Sequence, residues 1–284
     1  MQMAADPFSP KPAKIGPAKI GPAKTGLTTI SQNRIRQSFA RGLASYHAAA
    51  LAQAQIATLL AQALHAAGAP PQFQNALEFG CGTGLFTDAL LQHFAIERLM
   101  LNDLVEEPAA TLQPILQHHK TQTTFHAGPI ETLPLPMGMD LIASASTVQW
   151  VADPAALIAR LAYHLSPGGW LALSGFGTNH FAELRAIGGG ARAPSYLDPQ
   201  DWRALLPPGL QLHSVVTRSI VLQFPTAISL LKHLRQTGVN AGLHRHWTKT
   251  NLAEFDANLR ASQQSDGDIR LTYSPVLLIA QKSR

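Results

Sequence analysis

Apolar positions follow two rhythms along this chain. Short strand-like runs, most of them rich in apolar residues, fall at 75–79, 98–102, 123–126, 140–144, 170–176, 210–224 and 271–281. Between them, at 85–94, 109–118 and 154–165, apolar residues recur three and four apart. The first rhythm predicts strands buried on both faces, and the second predicts helices that cover them. A longer helical pattern at 30–65 precedes the first strand, with Ile35, Phe39, Leu43 and Tyr46 in register and a break near Ser45-Tyr46-His47. Gly68-Ala69-Pro70-Pro71 then stops it. Alternation of this kind builds an α/β fold: a doubly wound, mostly parallel sheet with ligand at the carboxyl ends of its strands. Two stretches break the alternation, 178–199 and 226–268, the second with a helical pattern at 227–236. They are expected to be insertions on the substrate side.

The first strand runs into a turn as Ala76-Leu77-Glu78-Phe79-Gly80-Cys81-Gly82-Thr83-Gly84. Alternate glycines between a strand and a helix let a ligand approach bare backbone. The second strand ends in Asp103, where an acid can take the two hydroxyls of a ribose. A dinucleotide-binding turn is written G-x-G-x-x-G. Here the third glycine comes one residue early and Glu78 stands before the first. A carboxylate at that point suits a ligand with a cationic amino-acid end and no phosphate.

Composition narrows the picture. The 284 residues suffice for a large core, and the net charge is +5. Much of that charge comes from Lys11 and from Lys14, Lys19 and Lys24 of the repeat Pro-Ala-Lys-Ile/Thr-Gly at 12–26, a segment too rich in proline and glycine to pack. Residues 1–29 are therefore expected to be a disordered basic tail, and 30–284 a single domain. Without the tail the excess charge is slight, so nucleic-acid binding is not indicated. No apolar run reaches bilayer length and no secretory signal is evident, which points to the cytoplasm. Cys81 is the single cysteine and reads as a small turn residue rather than a nucleophile. His118-His119 and His244 with His246 lack acids or cysteines at ligand spacing, so no metal site is expected.

The segment from Glu78 to Gly84 resembles motif I of the class I S-adenosylmethionine-dependent methyltransferases, written E/D-x-G-x-G-x-G. The resemblance implies a Rossmann-like, seven-stranded sheet and S-adenosylmethionine as methyl donor. It also implies that Gly80, Gly82 and Gly84 admit the methionine part, that Glu78 takes its amino group, and that Asp103 takes the ribose. Phe125 to Pro136 resembles the adenine loop of the same superfamily, commonly G-D-A-E-x-L-P. Pro129 replaces the acid that would hold the adenine amino group, so recognition is expected to rest on backbone at Ile130 and Glu131.

Four further segments recur together in one family. They are Arg36-Gln37-Ser38-Phe39-Ala40 with Tyr46-His47, Gln149-Trp150-Val151-Ala152-Asp153, Leu231 to Asn240, and Leu271-Thr272-Tyr273. The chain from about residue 33 onward resembles the malonyl-[acyl-carrier-protein] O-methyltransferases of biotin synthesis. The resemblance implies methyl transfer to the free carboxylate of a malonyl thioester, which primes pimeloyl and biotin synthesis. Tyr46, Gln149 and Trp150 would wall the methyl, and Arg235 or Arg185 would hold the malonyl group or its thioester arm. An acidic acyl-carrier protein would land on Arg34, Arg36 and Arg41. Two other readings fit the same cofactor residues: a class I methyltransferase for another small acid, a quinone or an amine, and a protein that binds S-adenosylmethionine without catalysis.

Overall fold

The computed structural model describes residues 50–106, 108–188, 193, 195–237, 248–264 and 267–284. The expected tail, the helical pattern before residue 50, Tyr46, Arg34, Arg36, Arg41, His244 and His246 lie outside the described residues.

Helix α1 (Leu51–Ala66) leads into β1 (Gln72–Phe79), α2 (Leu85–His93), β2 (Ala95–Asp103), α3 (Pro108–Leu116) and β3 (Gln122–Ala127). Next come β4 (Met139–Ser144), a 3-10 turn (Val148–Trp150), α4 (Pro154–His164) and β5 (Leu165–Phe176). Two short helices, α5 (Ala182–Ala186) and α6 (Pro199–Ala204), precede β6 (Leu210–Thr217) and β7 (Ile220–Phe224). The chain closes with α7 (Ala227–Gln236), α8 (Lys249–Gln263), β8 (Ile269–Tyr273) and β9 (Pro275–Lys282).

The main sheet has seven strands in the order β3-β2-β1-β4-β5-β9-β6. The first five run parallel, and β9 lies antiparallel to both β5 and β6. Its central strands are nearly continuous in buried apolar residues because helices cover both faces. Strand order reverses between β1 and β4, which opens a crevice at the carboxyl ends of those two strands.

Two sequence expectations need correction. The runs at 210–224 and 271–281 are not single strands. Each divides, and β7 pairs with β8 in a separate two-stranded ribbon. The break on the second run falls at Ser274-Pro275, because a proline cannot donate to the ladder and so begins a strand rather than continuing one. Likewise Ser166-Pro167-Gly168-Gly169 is not a turn ahead of β5 but an irregular step inside it, where the register with β4 jumps between Met139 and Leu141. Gly168 takes it up with a φ of +78°.

The divided strands matter for function. Phe176 at the end of β5 faces Pro275, and Thr217 at the end of β6 faces Val276. Both lie at the same edge as the carboxyl ends of β1 and β4. The β7–β8 ribbon and the helices α7 and α8 between its strands therefore rise beyond the edge where the crevice opens. A buried ring cluster secures them there. The His180 ring stacks 3.9 Å from Phe176 and 3.7 Å from Phe181, and His233 Nε2 is 2.7 Å from the Tyr273 hydroxyl. Burial, helped by the Arg185 cation, pushes His180 down to about 3, and burial pushes His233 down to about 4. Both rings are thus neutral at physiological pH and serve as packing groups.

Candidate active site

All three glycines of the turn between β1 and α2 take left-handed backbone. Gly80, Gly82 and Gly84 have φ of +65°, +50° and +88°. Their surroundings differ. A Cβ on Gly80 would stand 2.1 Å from Thr147 Oγ1, and one on Gly84 would stand 2.5 Å from Ile115 Cδ1. A Cβ on Gly82 would meet nothing within 4 Å. Gly84 is thus required by packing on α3, and it is not among the residues that line the cleft. Gly80 lines the cleft but is also pressed against the turn after β4. Only Gly82 turns its bare Cα to open space.

Two hollows meet at this turn. The larger is a cleft of about 900 Å³, partly open to solvent, walled by the loops after β1, β2, β3 and β4. The smaller, about 330 Å³, lies between α1 and the glycine turn. The two share Gly80, Gly82, Ala145 and Ser146.

Asp103 stands in the cleft wall at the tip of β2. Its Oδ2 accepts from Gly82 N at 2.9 Å and its Oδ1 from Val105 N at 3.2 Å. One acid thereby fixes the glycine turn against the loop after β2. Asn102, which sequence reasoning passed over, is buried beside it. Its Nδ2 donates to the carbonyls of His126 at 2.8 Å and Gly128 at 2.9 Å, stitching β2 to the loop after β3. A polar residue directly after the apolar run Leu99-Met100-Leu101 was the available signal.

Ile130 and Glu131 both line the cleft, as does Pro129. The backbone of this loop is already committed in part. Arg160 on α4 donates to the Ile130 carbonyl at 2.7 Å and also to the Leu133 carbonyl. That cation substitutes for loop rigidity and was not legible from spacing, since it lies 30 residues away in sequence.

Glu78 is fully buried beneath the turn. Among the described residues no cation pairs with its carboxylate, and the Thr87 hydroxyl is the polar group that faces it. Burial pushes the Glu78 carboxyl up to about 8; the Thr87 hydroxyl works against this rise and the Asp103 charge adds to it. An orphaned acid at such a depth lacks a cation. The residues present thus fit a ligand with a cationic group near the turn and a diol near Asp103. Cys81 is buried too, and burial with the charges of Glu78 and Asp103 raises its thiol well above the ordinary value. It is a poor nucleophile and fills a tight turn.

The expected wall around the methyl divides. Trp150 lines the cleft. Gln149 does not: its Nε2 donates to the Ser146 carbonyl at 2.5 Å, and its Oε1 lies 3.6 Å from where a Cβ on Gly175 would stand. It points back toward β5 because the 3-10 turn carries consecutive residues to different sides. Asp153 of the same segment caps α4, accepting from Ala156 N at 2.9 Å, with Pro154 at the first helical position. Arg235 sits exposed on α7 and Arg185 donates to the Thr178 carbonyl; neither lines the cleft. Among the described residues, no three His, Cys, Asp or Glu side chains gather as a metal site would need, and no helix is long and apolar enough to cross a membrane.

Known proteins resemble this chain in sequence and in fold. Residues 77–173 match the family model described as a methyltransferase domain. A malonyl-[acyl-carrier protein] O-methyltransferase of Acinetobacter baylyi is 34% identical over 260 residues, covering 89% of this chain and 98% of the relative. One from Chlorobium luteolum is 34% identical, covering 87% of this chain and 94% of its own length. Among solved structures, a putative methyltransferase from Bacillus halodurans superposes with a TM-score of 0.58 at 16% identity, covering 79% of this chain and 99% of its own. The N-methyltransferase NodS of Bradyrhizobium japonicum, solved with S-adenosyl-L-homocysteine, gives 0.51 at 17% identity, covering 88% of this chain and all of its own. Full-length likeness above 30%, on a fold shared with methyltransferases, places the chain in the malonyl-[acyl-carrier protein] O-methyltransferase family.

Proposed function

We propose that this protein transfers a methyl group from S-adenosylmethionine to the free carboxylate of a malonyl thioester. The observation that carries the reading is Glu78, a buried carboxylate with no cationic partner among the described residues, under a glycine turn whose middle glycine is open. The amino-acid end of the donor supplies the missing cation, and Asp103 faces the ribose. When bound, the donor supplies a methyl carbon on positively charged sulfur; the carboxylate oxygen forms the new C–O bond while the C–S electron pair returns to sulfur.

This chain's residues then have two tasks. The acceptor is a carboxylate, ionised at neutral pH, so no general base is needed. The cleft has to align the reacting atoms and exclude water, because charge cancels as an anion meets a cation and a dry wall favours that cancellation. Trp150, Val151 and Ile130 supply such a wall. The methyl ester masks the charge of the malonyl unit and so primes extension toward a pimeloyl thioester. Methyl-labelled donor and a malonyl thioester are expected to give a base-labile labelled ester. Absence of label with both carrier-bound and small thioesters would defeat the proposal.

An acyl-carrier protein is the proposed bearer of the substrate. Ile228, Lys232 and Arg235 form one exposed face of α7, on the crevice side of the sheet. A basic and apolar face suits an acidic carrier. Arg235→Glu is expected to raise KM several-fold for the carrier-bound substrate, more at low salt, and to leave a small malonyl thioester unaffected. Equal effects on both would instead make Arg235 a substrate-holding residue.

A further inference from the structure

Ser146 stands in the turn after β4, and four observations single it out. It has a φ of +57°, a left-handed conformation that costs a non-glycine residue energy. Two side chains hold it there: its N–H donates to Ser174 Oγ at 2.9 Å, and its carbonyl accepts from Gln149 Nε2. Its own hydroxyl is shut off from water and has no partner among the described residues. Finally, it belongs to both hollows, the cleft and the smaller cavity.

A strained residue persists only where its surroundings over-determine it, and such residues collect at functional sites. Here a serine on β5 and a glutamine from the 3-10 turn are both spent on fixing one backbone unit. A buried hydroxyl without a partner is costly in itself. The cost is offset if a bound ligand provides the acceptor.

The position of the seam says which ligand. Asp103 and Ile130 line the cleft alone, whereas Gln53 and Thr83 line the small cavity alone. Resting on the function proposed above, a donor with its ribose at Asp103 and its amino-acid end over the glycine turn must cross from one hollow to the other beside Ser146. The seam is thus where the transferred carbon and the incoming oxygen meet.

We infer that Ser146 orients the acceptor: its hydroxyl donates one hydrogen bond to the malonyl carboxylate, at the oxygen that does not attack. A neutral donor suits this task. An arginine there would pair both oxygens and stabilise the ground state, whereas one hydroxyl aligns the group and leaves the other oxygen free. No proton is transferred. Gln149 is on this account a positioning residue, acting through the Ser146 carbonyl.

The test compares Ser146→Ala with Ser146→Gly. Alanine removes the hydroxyl and keeps the strain; glycine removes both. For the hydroxyl role, both variants lose roughly 10- to 100-fold in kcat/KM for the malonyl thioester, the scale of a hydrogen bond to a charged group. Their dissociation constants for S-adenosylhomocysteine, read by calorimetry, stay within about twofold of wild type, on the premise that the lost bond is to the acceptor. Glycine should also melt no lower than alanine. Recovery of wild-type turnover in Ser146→Gly would assign the loss to backbone strain and overturn the inference. A parallel loss of S-adenosylhomocysteine affinity would overturn it as well, by placing the hydroxyl on the donor. A wild-type protein that binds S-adenosylhomocysteine yet methylates no malonyl thioester defeats the functional reading itself; variants that match an active wild type defeat only the role of Ser146.

Discussion

Glu78→Gln is expected to weaken S-adenosylhomocysteine binding by roughly 10- to 100-fold at pH 8, the scale of a charge-assisted hydrogen bond. The deficit should shrink as pH falls. In the ligand-free protein the carboxyl titrates near 8, so at pH 6 it carries a proton. An ammonium group beside it favours the ionised form and lowers that value, so binding expels the proton. Wild-type affinity must therefore climb with pH toward about 8, by at most tenfold per unit, and flatten above it. The glutamine variant should show a flat profile over the same range. Calorimetry in buffers of different ionisation enthalpy detects the released proton directly. A wild-type profile as flat as the variant's would remove Glu78 from the site.

The same residue predicts an effect on the empty protein, with the opposite sign. Folding raises the carboxyl from 4.5 to about 8, so across that window the folded chain holds a proton that the unfolded chain has lost. Stability then falls as pH rises from 4.5 to 8. The amide avoids this loss, so Glu78→Gln should melt above wild type at pH 8 and close to it near pH 5. A residue kept at a cost to stability, and needed for affinity, is what a binding group looks like in thermodynamic terms.

The second large effect concerns the glycines, which sequence alone treats as equivalent. Gly80→Ala is expected to cost about 2–4 kcal/mol of unfolding free energy, combining left-handed strain with overpacking. The added carbon would lie 2.1 Å from Thr147 Oγ1, so either the glycine turn or the turn after β4 has to move. Gly82→Ala has the same backbone penalty and no clash, about 1–2 kcal/mol. Its methyl group points into open space within the hollows. Denaturant titration should thus rank Gly80→Ala well below Gly82→Ala in stability, while Gly82→Ala loses S-adenosylhomocysteine affinity. Thr147→Gly should restore part of the stability in the Gly80→Ala background, since the two residues touch. Equal destabilisation by the two alanines would show that φ alone governs the turn.

Much of the architecture was legible because burial on both faces leaves a trace: runs rich in apolar residues at β1, β4 and β5 with helical spacing between them. The acid ending β2 and the glycines after β1 also stood out, since each is a chemical exception within an apolar stretch. Where two strands divide was not legible from hydropathy. The polar breaks Thr217-Arg218-Ser219 and Ser274 are short, and strand-like apolar residues resume at once on both sides, because β7 and β8 bury one face against α7 and α8 while β6 and β9 pack in the main sheet. The role of Gln149 was hidden for a related reason. Its neighbour Trp150 faces the cleft, and a 3-10 turn sends successive side chains in different directions, so adjacency in sequence did not mean adjacency in the site.

By itself the sequence determined the strand–helix order, the bare turn, and the acids Glu78 and Asp103, because these follow from residue type and local spacing. Tertiary structure decided which glycine of the turn faces open space, which side chains stand behind the wall, and that Ser146 lies at the seam of two hollows. Those outcomes depend on contacts between segments far apart in the chain, such as Gly80 with Thr147, Ser146 with Ser174 and Ile130 with Arg160. No local pattern encodes them, since each is fixed only when the sheet brings its strand ends to one edge.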